Sequence, residues 1–132
     1  MMLTPINAFF EKSPFAKPLF DTLVIDALQR FPNTTVKVQK TQIALVSKKP
    51  YTAIWLPIIE IKDRPPVYLI VSFGLDHELK DPRIVEVNQP YPQRWMHHVL
   101  ISKPEEIDEL FMSWLSLAHE FSLRNPKDSQ DL

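Results

Sequence analysis

Apolar residues recur every three or four positions in two long stretches and alternate with polar ones in the region between. The first stretch predicts a helix over about residues 14–29. Phe15, Leu19, Leu23, Ala27 and Phe31 recur every four residues, joined by Phe20, Val24 and Leu28 on one wide face. Ser13 is a suitable N-cap, and Pro14 suits the first helical position. A short helical turn over 7–10 precedes it. Pro32-Asn33 ends the helix. The second stretch carries Ile107, Leu110, Phe111, Trp114, Leu115, Ala118 and Phe121, a strong helical stripe. Ser102 is placed to cap it, with Glu105 three residues on, and Asn125-Pro126 to close it.

Between the helices the period changes to two. Residues 34–40 and 41–47 read as short strands. Residues 51–61 read as a longer one, bent at Pro57. Residues 67–73 are apolar on both faces, as in a central strand covered from both sides, and Gly74 ends that run. Residues 76–88 read as a connection holding a short extended piece, 83–87. Residues 88–92 read as a stiff turn and 94–102 as the last strand. Connections of this length favour antiparallel neighbours. The expected fold is α+β: a two-layer domain with a curved antiparallel sheet of about five strands, and the N-terminal and C-terminal helices packed on one face. One domain is expected over 1–132, with its core at about 14–123 and a frayed tail at 127–132. The two-faced strands leave Trp55, Ile59, Tyr68 and Ile70 in need of cover, which sheet curvature, a symmetric dimer or a ligand would supply.

Composition mostly excludes. The chain of 132 residues has no Cys and a single Gly. That removes thiol nucleophiles, Cys-based metal sites and glycine-rich phosphate loops. The 13 Pro mostly punctuate the elements. The start of the chain shows no basic leader, and the longest apolar run, 53–59, is too short and proline-broken to span a membrane. The expected compartment is the cytoplasm. Net charge is −1, but residues 1–66 hold nine Lys/Arg against five Asp/Glu, and residues 67–132 hold six against eleven. That balance is too weak for a strong nucleic-acid binder.

Four segments carry a family resemblance: Lys40-Thr41-Gln42-Ile43-Ala44, Ser72-Phe73-Gly74-Leu75, Pro82-Arg83-Ile84 and Arg94-Trp95-Met96-His97-His98-Val99. Together they resemble the bacterial family called domain of unknown function 5655, over about residues 14–123. The resemblance implies a stand-alone bacterial α+β domain. It marks Lys40, Gln42, Gly74, Arg83, Arg94, Trp95, His97 and His98 as shared positions and assigns none of them a role.

The candidate chemistry lies in that last segment. Strand alternation puts Trp95 and His97 on one face and Met96 and His98 on the other. The two histidines therefore cannot readily share a metal, and no metal or cofactor is expected. One packs in the core with a backbone partner while the other is exposed, or one titrates near neutrality as a ligand or base. Lys40 and Arg94, if they share a concavity, would hold a phosphate or carboxylate. Otherwise Lys40 and Gln42 are solvated edge residues. Arg83 is expected to pair locally with Asp76, Glu78 or Asp81. Asp76-His77-Glu78 has no serine elbow to serve. The only glycine, Gly74, is expected to take positive φ or to permit close backbone approach. The tryptophans are expected in the core.

Three functions fit these residues. The first is a non-catalytic module that binds a small anionic ligand or a protein partner on the sheet face, through Lys40, Gln42, Arg83, Arg94, Trp95, His97 or His98. A homodimer through the uncovered face is one version of it. The second is a small enzyme using His97 or His98 as general base and Arg94 as electrostatic stabiliser. The third is weak nucleic-acid binding by the basic N-terminal half.

Overall fold

A computed structural model of the chain describes residues 5–57 and 61–124. The helices are α1 (Pro5–Phe9), α2 (Lys17–Arg30) and α3 (Glu109–Arg124). The strands are β1 (Thr35–Val38), β2 (Ile43–Val46), β3 (Pro50–Trp55), β4 (Leu69–Leu75), β5 (Ile84–Tyr91) and β6 (Arg94–Ile101). They form one six-stranded sheet in the order β1-β2-β3-β4-β6-β5, with every described pairing antiparallel. The α+β architecture matches the sequence pattern, with one strand more than expected. The predicted tail at 127–132, the Asn125-Pro126 stop and Ile59 lie outside the described residues.

The additional strand is β5. Residues 88–92 read as a turn because of Pro90 and Pro92, yet β5 continues to Tyr91. β5 is an edge strand, where a proline without an N–H breaks no second ladder. Its alternation is also disguised. The register shifts once between Ile84 and Glu86 and again between Asn88 and Tyr91, so the period of two is broken twice in eight residues.

A core cluster unites Leu19, Phe20, Leu23, Ala27 and Phe31 of the α2 region with Phe111, Trp114, Leu115 and Ala118 of α3. From the sheet it takes Ile43, Leu45, Ile54, Leu69, Val71, Phe73, Leu75, Val99 and Ile101. The cross-strand register aligns these strand residues on one face. That inner face carries both long helices. A bulge brings one more ring to it. The β2–β3 register steps from Leu45↔Thr52 to Val46↔Pro50, so Tyr51 is an extra residue that the bulge re-aims. Its ring meets Phe31 at 5.4 Å and His119 at 5.0 Å, and its hydroxyl lies 2.7 Å from Thr34 Oγ1.

Helix ends differ in detail from the pattern. Pro14–Ala16 is a 3₁₀ turn that leads into α2, and Ser13 makes no side-chain capping bond. Starting the α-helix three residues later rotates Phe15 out of the stripe, and it is 78% exposed. Leu28 (40%) and Leu110 (48%) also lie at the margins of their stripes. At the other helix, Glu106 rather than Glu105 is the capping acid: its Oε1 accepts from the N–H groups of Ser102 at 2.7 Å and Lys103 at 3.1 Å. A 3₁₀ turn at Pro104–Glu106 moves the α-helical start to Glu109, and Asp108 Oδ1 caps it by accepting from Phe111 N–H at 2.9 Å.

Arg83 ties this helix start to the sheet. The expected local pairing is not what forms. The guanidinium pairs with Asp108 at 3.1 Å, donates to the Glu106 carbonyl and lies 5.6 Å from the Trp114 ring centre. The nearby Asp81 instead accepts from the Arg83 backbone N–H at 2.9 Å. One charged hydrogen bond to a carbonyl plus one cation–π contact predicts that Arg83→Ala costs about 2 kcal/mol. Arg83→Lys recovers less than half of this, because a point charge cannot reach all three partners. Urea unfolding of the three proteins measures both differences.

Candidate functional site

The β4–β6 ladder sorts the candidate residues. Phe73 stands opposite His97 and Ser72 opposite His98. Adjacent histidines therefore face opposite sides of the sheet, as alternation requires.

His97 faces the helices and is fully buried. Its ring stacks on Phe73 at 5.1 Å, and its Nε2 accepts a 2.9 Å hydrogen bond from Leu79 N–H. An accepting Nε2 belongs to a neutral ring with its proton on Nδ1. Burial is the main cause holding its pKa below the ordinary 6.5, partly opposed by backbone hydrogen bonding at Phe73 and Trp95. His97 thus anchors the loop after β4. Trp95 opposite Leu75 shares this inner side.

His98 faces outward. Its Nδ1 lies 2.7 Å from Ser72 Oγ, and its Nε2 lies 2.8 Å from Asn88 Oδ1. With the amide oxygen accepting, Nε2 carries the proton, and Nδ1 accepts from the Ser72 hydroxyl. Burial lowers the His98 pKa, and the neighbouring Glu86 carboxylate opposes this. The row through these residues reads Lys37, Ala44, Ala53, Ser72, His98, Glu86 across the sheet. Small side chains floor its centre, and polar groups stand at its β6–β5 end.

Gly74 lies one residue pair along, opposite Met96. Its φ is not positive, so close approach is its reason. A Cβ there would stand 3.0 Å from Met96 Sδ and 3.1 Å from both Cζ and Nη2 of Arg94. The guanidinium of Arg94 thus lies directly on the glycine, with its Cζ 5.6 Å from the ring centre of Phe121 in the last turn of α3.

Lys40 and Gln42 do not join this group. Both sit at the β1–β2 turn, where the Gln42 amide donates to Gln39 Oε1 at 2.9 Å. That turn adjoins the Ile43↔Ile54 pair, at the end of the sheet where β6 finishes, whereas Arg94 begins β6 at the other end. The shared concavity of Lys40 and Arg94 is therefore not formed. Arg83 is committed to the start of α3. His77 hydrogen-bonds Asp76 at 2.7 Å on an exposed loop. Among the described residues, no group of three His, Asp or Glu could hold a metal.

Three residues that the sequence pattern does not single out as site candidates matter here. Ser72 and Asn88 complete the hydrogen-bonded chain, and only the cross-strand register reveals them. The third is His119, which stacks on Phe31 at 4.5 Å. It lines a cavity of about 320 Å³ with Arg30, Asn33, Ser47, Lys48 and Leu123. Arg30 in that wall is held by Asp26 at 2.7 Å and by Glu109. The C-terminal ends of α2 and α3 both adjoin the cavity, so its cations answer helix dipoles.

The geometry defines a two-layer α+β domain with a buried structural histidine on one sheet face and a hydrogen-bonded polar chain on the other. The chain belongs to the family described as Domain of unknown function (DUF5655), whose profile matches residues 6–122. No curated protein and no solved structure matches it. No helix among the described residues is long and apolar enough to cross a membrane.

The histidines predict a pH dependence. Burial holds His97, His98 and His119 below the ordinary value of 6.5. Above that value both folded and unfolded states are neutral, and stability is full. As pH falls below it, the unfolded chain takes up protons first, and stability drops until the folded rings also protonate. Urea midpoints are therefore lower at about pH 5.5 than at about pH 7.5. His97→Gln, which keeps an acceptor for Leu79 without titrating, makes that difference smaller.

Proposed function

We propose that the domain is a non-catalytic binding module whose site is the sheet face turned away from the helices. The observation that carries this reading is the Ser72–His98–Asn88 chain. These polar side chains meet on the face opposite the two long helices, around the small residues Ala44, Ala53 and Gly74; Ser72, Ala44 and Gly74 are buried there, and the half-buried His98 with the exposed Asn88 gives the chain its accessible end. Polar groups fixed against one another beside small side chains give a surface that is pre-formed and shaped for an occupant. The occupant is a small ligand or a protein segment, a second copy of the chain being one version. Net charge of −1 disfavours nucleic acid. The cysteine-free composition suits the reducing cytoplasm of a bacterial cell.

The same chain supports a second reading, an acyl-transfer enzyme with Ser72 as nucleophile and His98 as base. Two features weigh against it. Ser72 is only 2% exposed in the middle of β4. Extended strand backbone at Ser72 spends its N–H groups on neighbouring strands, leaving none to converge on an oxyanion.

Fragment titration followed by backbone NMR tests the first reading. Shifts are expected to concentrate at Ser72, Asn88, Met96 and His98, and shifts confined to the helices would sink it. A fluorophosphonate probe tests the second. The module reading expects equal background labelling of the parent and Ser72→Ala proteins, and Ser72-dependent labelling would favour the enzyme.

A further inference from the structure

Arg94, at the end of this face where the sheet meets α3, is the cation whose surroundings are most unusual. It is half-buried. Its guanidinium rests on Gly74 and lies over the Phe121 ring. Among the described residues it makes no hydrogen bond and no ion pair, while Arg30 and Arg83 each have carboxylate partners. Asp76, the carboxylate next along β4, is hydrogen-bonded to His77.

A guanidinium carries five N–H donors and no acceptor. A cation–π contact uses none of these N–H donors in a hydrogen bond to an oxygen. The usual energetic objection to fixing a long side chain is the lost rotamer entropy. Here the glycine below and the phenylalanine beside it restrict where the guanidinium can go, which lowers that cost. A half-buried fork with unspent donors matches two oxygens of one oxyanion, in a bidentate pair.

We propose that Arg94 is the anchor of an oxyanion subsite at the Gly74–Arg94 end of that face, where the sheet meets the last turn of α3, taking a carboxylate or phosphate group of the ligand in bidentate fashion. This rests on the sheet-face reading above and names the chemistry of its occupant. Tyr91, paired with Arg94 across β5–β6 and exposed, and Met96 beside Gly74 offer apolar surface to the rest of the ligand. Gly74 is a positioning residue for the site. Any side chain there would meet the guanidinium at 3.1 Å and lift it from its seat.

The test follows the Arg94 Nε–Hε NMR signal. Sodium phosphate and sodium acetate are titrated separately, with sodium chloride at matched ionic strength as the control. A saturable shift with either oxyanion and not with chloride is expected, and the tighter of the two identifies the source group. Arg94→Lys keeps the charge but loses the fork. It is expected to weaken binding at least about tenfold, read from the amides of Gly74 and Met96. Gly74→Ala is expected to weaken binding as well, in a protein whose circular dichroism is unchanged. Silence to both oxyanions, an equal response to chloride, or undiminished affinity in Arg94→Lys would overturn the subsite. If fragments move Ser72, His98 and Asn88 while Arg94 stays silent to oxyanions, the face reading stands and the anion anchor falls. If neither responds, both fall.

Discussion

The pairing of β4 with β6 governs the rest of the molecule. The ladder runs from Leu69↔Ile101 to Leu75↔Trp95 without a shift. Because side chains alternate with a period of two, sliding β6 by one residue would turn His98 into the core and His97 out of it. It would also expose Val99 and Ile101, which are fully buried. The register is therefore held by apolar burial on the inner face, at about 25 cal/mol per Å² of surface removed from water. The polar arrangement on the outer face is carried along with it. Ser72 does not select His98 as a partner. The apolar pairs on either side bring the two together, and the hydrogen bond then satisfies a hydroxyl that would otherwise be buried alone.

That division explains why two adjacent histidines have different chemistry. His97 is surrounded by Phe73 and the Leu79 backbone, accepts one hydrogen bond and has no route to solvent. His98 holds both ring nitrogens in side-chain hydrogen bonds and keeps a half-exposed edge. Arginines divide similarly. Arg83 is consumed by the start of α3, where Asp108 also caps the helix, so one carboxylate serves both the cation and the Phe111 N–H. Hydrogen bonding by the Phe111 backbone is the leading cause holding Asp108 below the usual carboxylate range, with Arg83 adding to it. Arg94 has no such obligation and rests against the chain's one glycine.

The helices, the order of elements and the opposite facing of His97 and His98 were legible in the sequence, because each follows from a local period. Phe73 and Val71 read as central strand residues and are buried as such. What was not legible has a common physical cause: it depends on which distant residues become neighbours. Lys40 and Arg94 were grouped by residue type, and the topology puts them at opposite ends of the sheet. Arg83 has three acids within reach along the chain, but its partner is Asp108 because the strand carries it to the start of α3. Ser72 and Asn88 are 16 residues apart and look unremarkable until β6 is laid between their strands. The sequence pattern shortens β5 to residues 83–87 because its two register shifts break the alternation of a regular strand.

The one departure of spatial order from chain order, β6 lying inside β5, has a consequence for how the chain acquires its shape. Strands β1 to β4 add in sequence, each beside the one before it, and β5–β6 closes on itself as a hairpin. Both units are local and quick to form. The seam between them spans from Leu75↔Trp95, across the loop and β5, to Leu69↔Ile101, which makes it the longest-range strand pairing among the described residues. The hairpin must arrive with its second strand inward. The same pairing sets Phe73 against His97 and Ser72 against His98, so it completes both histidine environments, whereas the His98–Asn88 contact already lies within the hairpin.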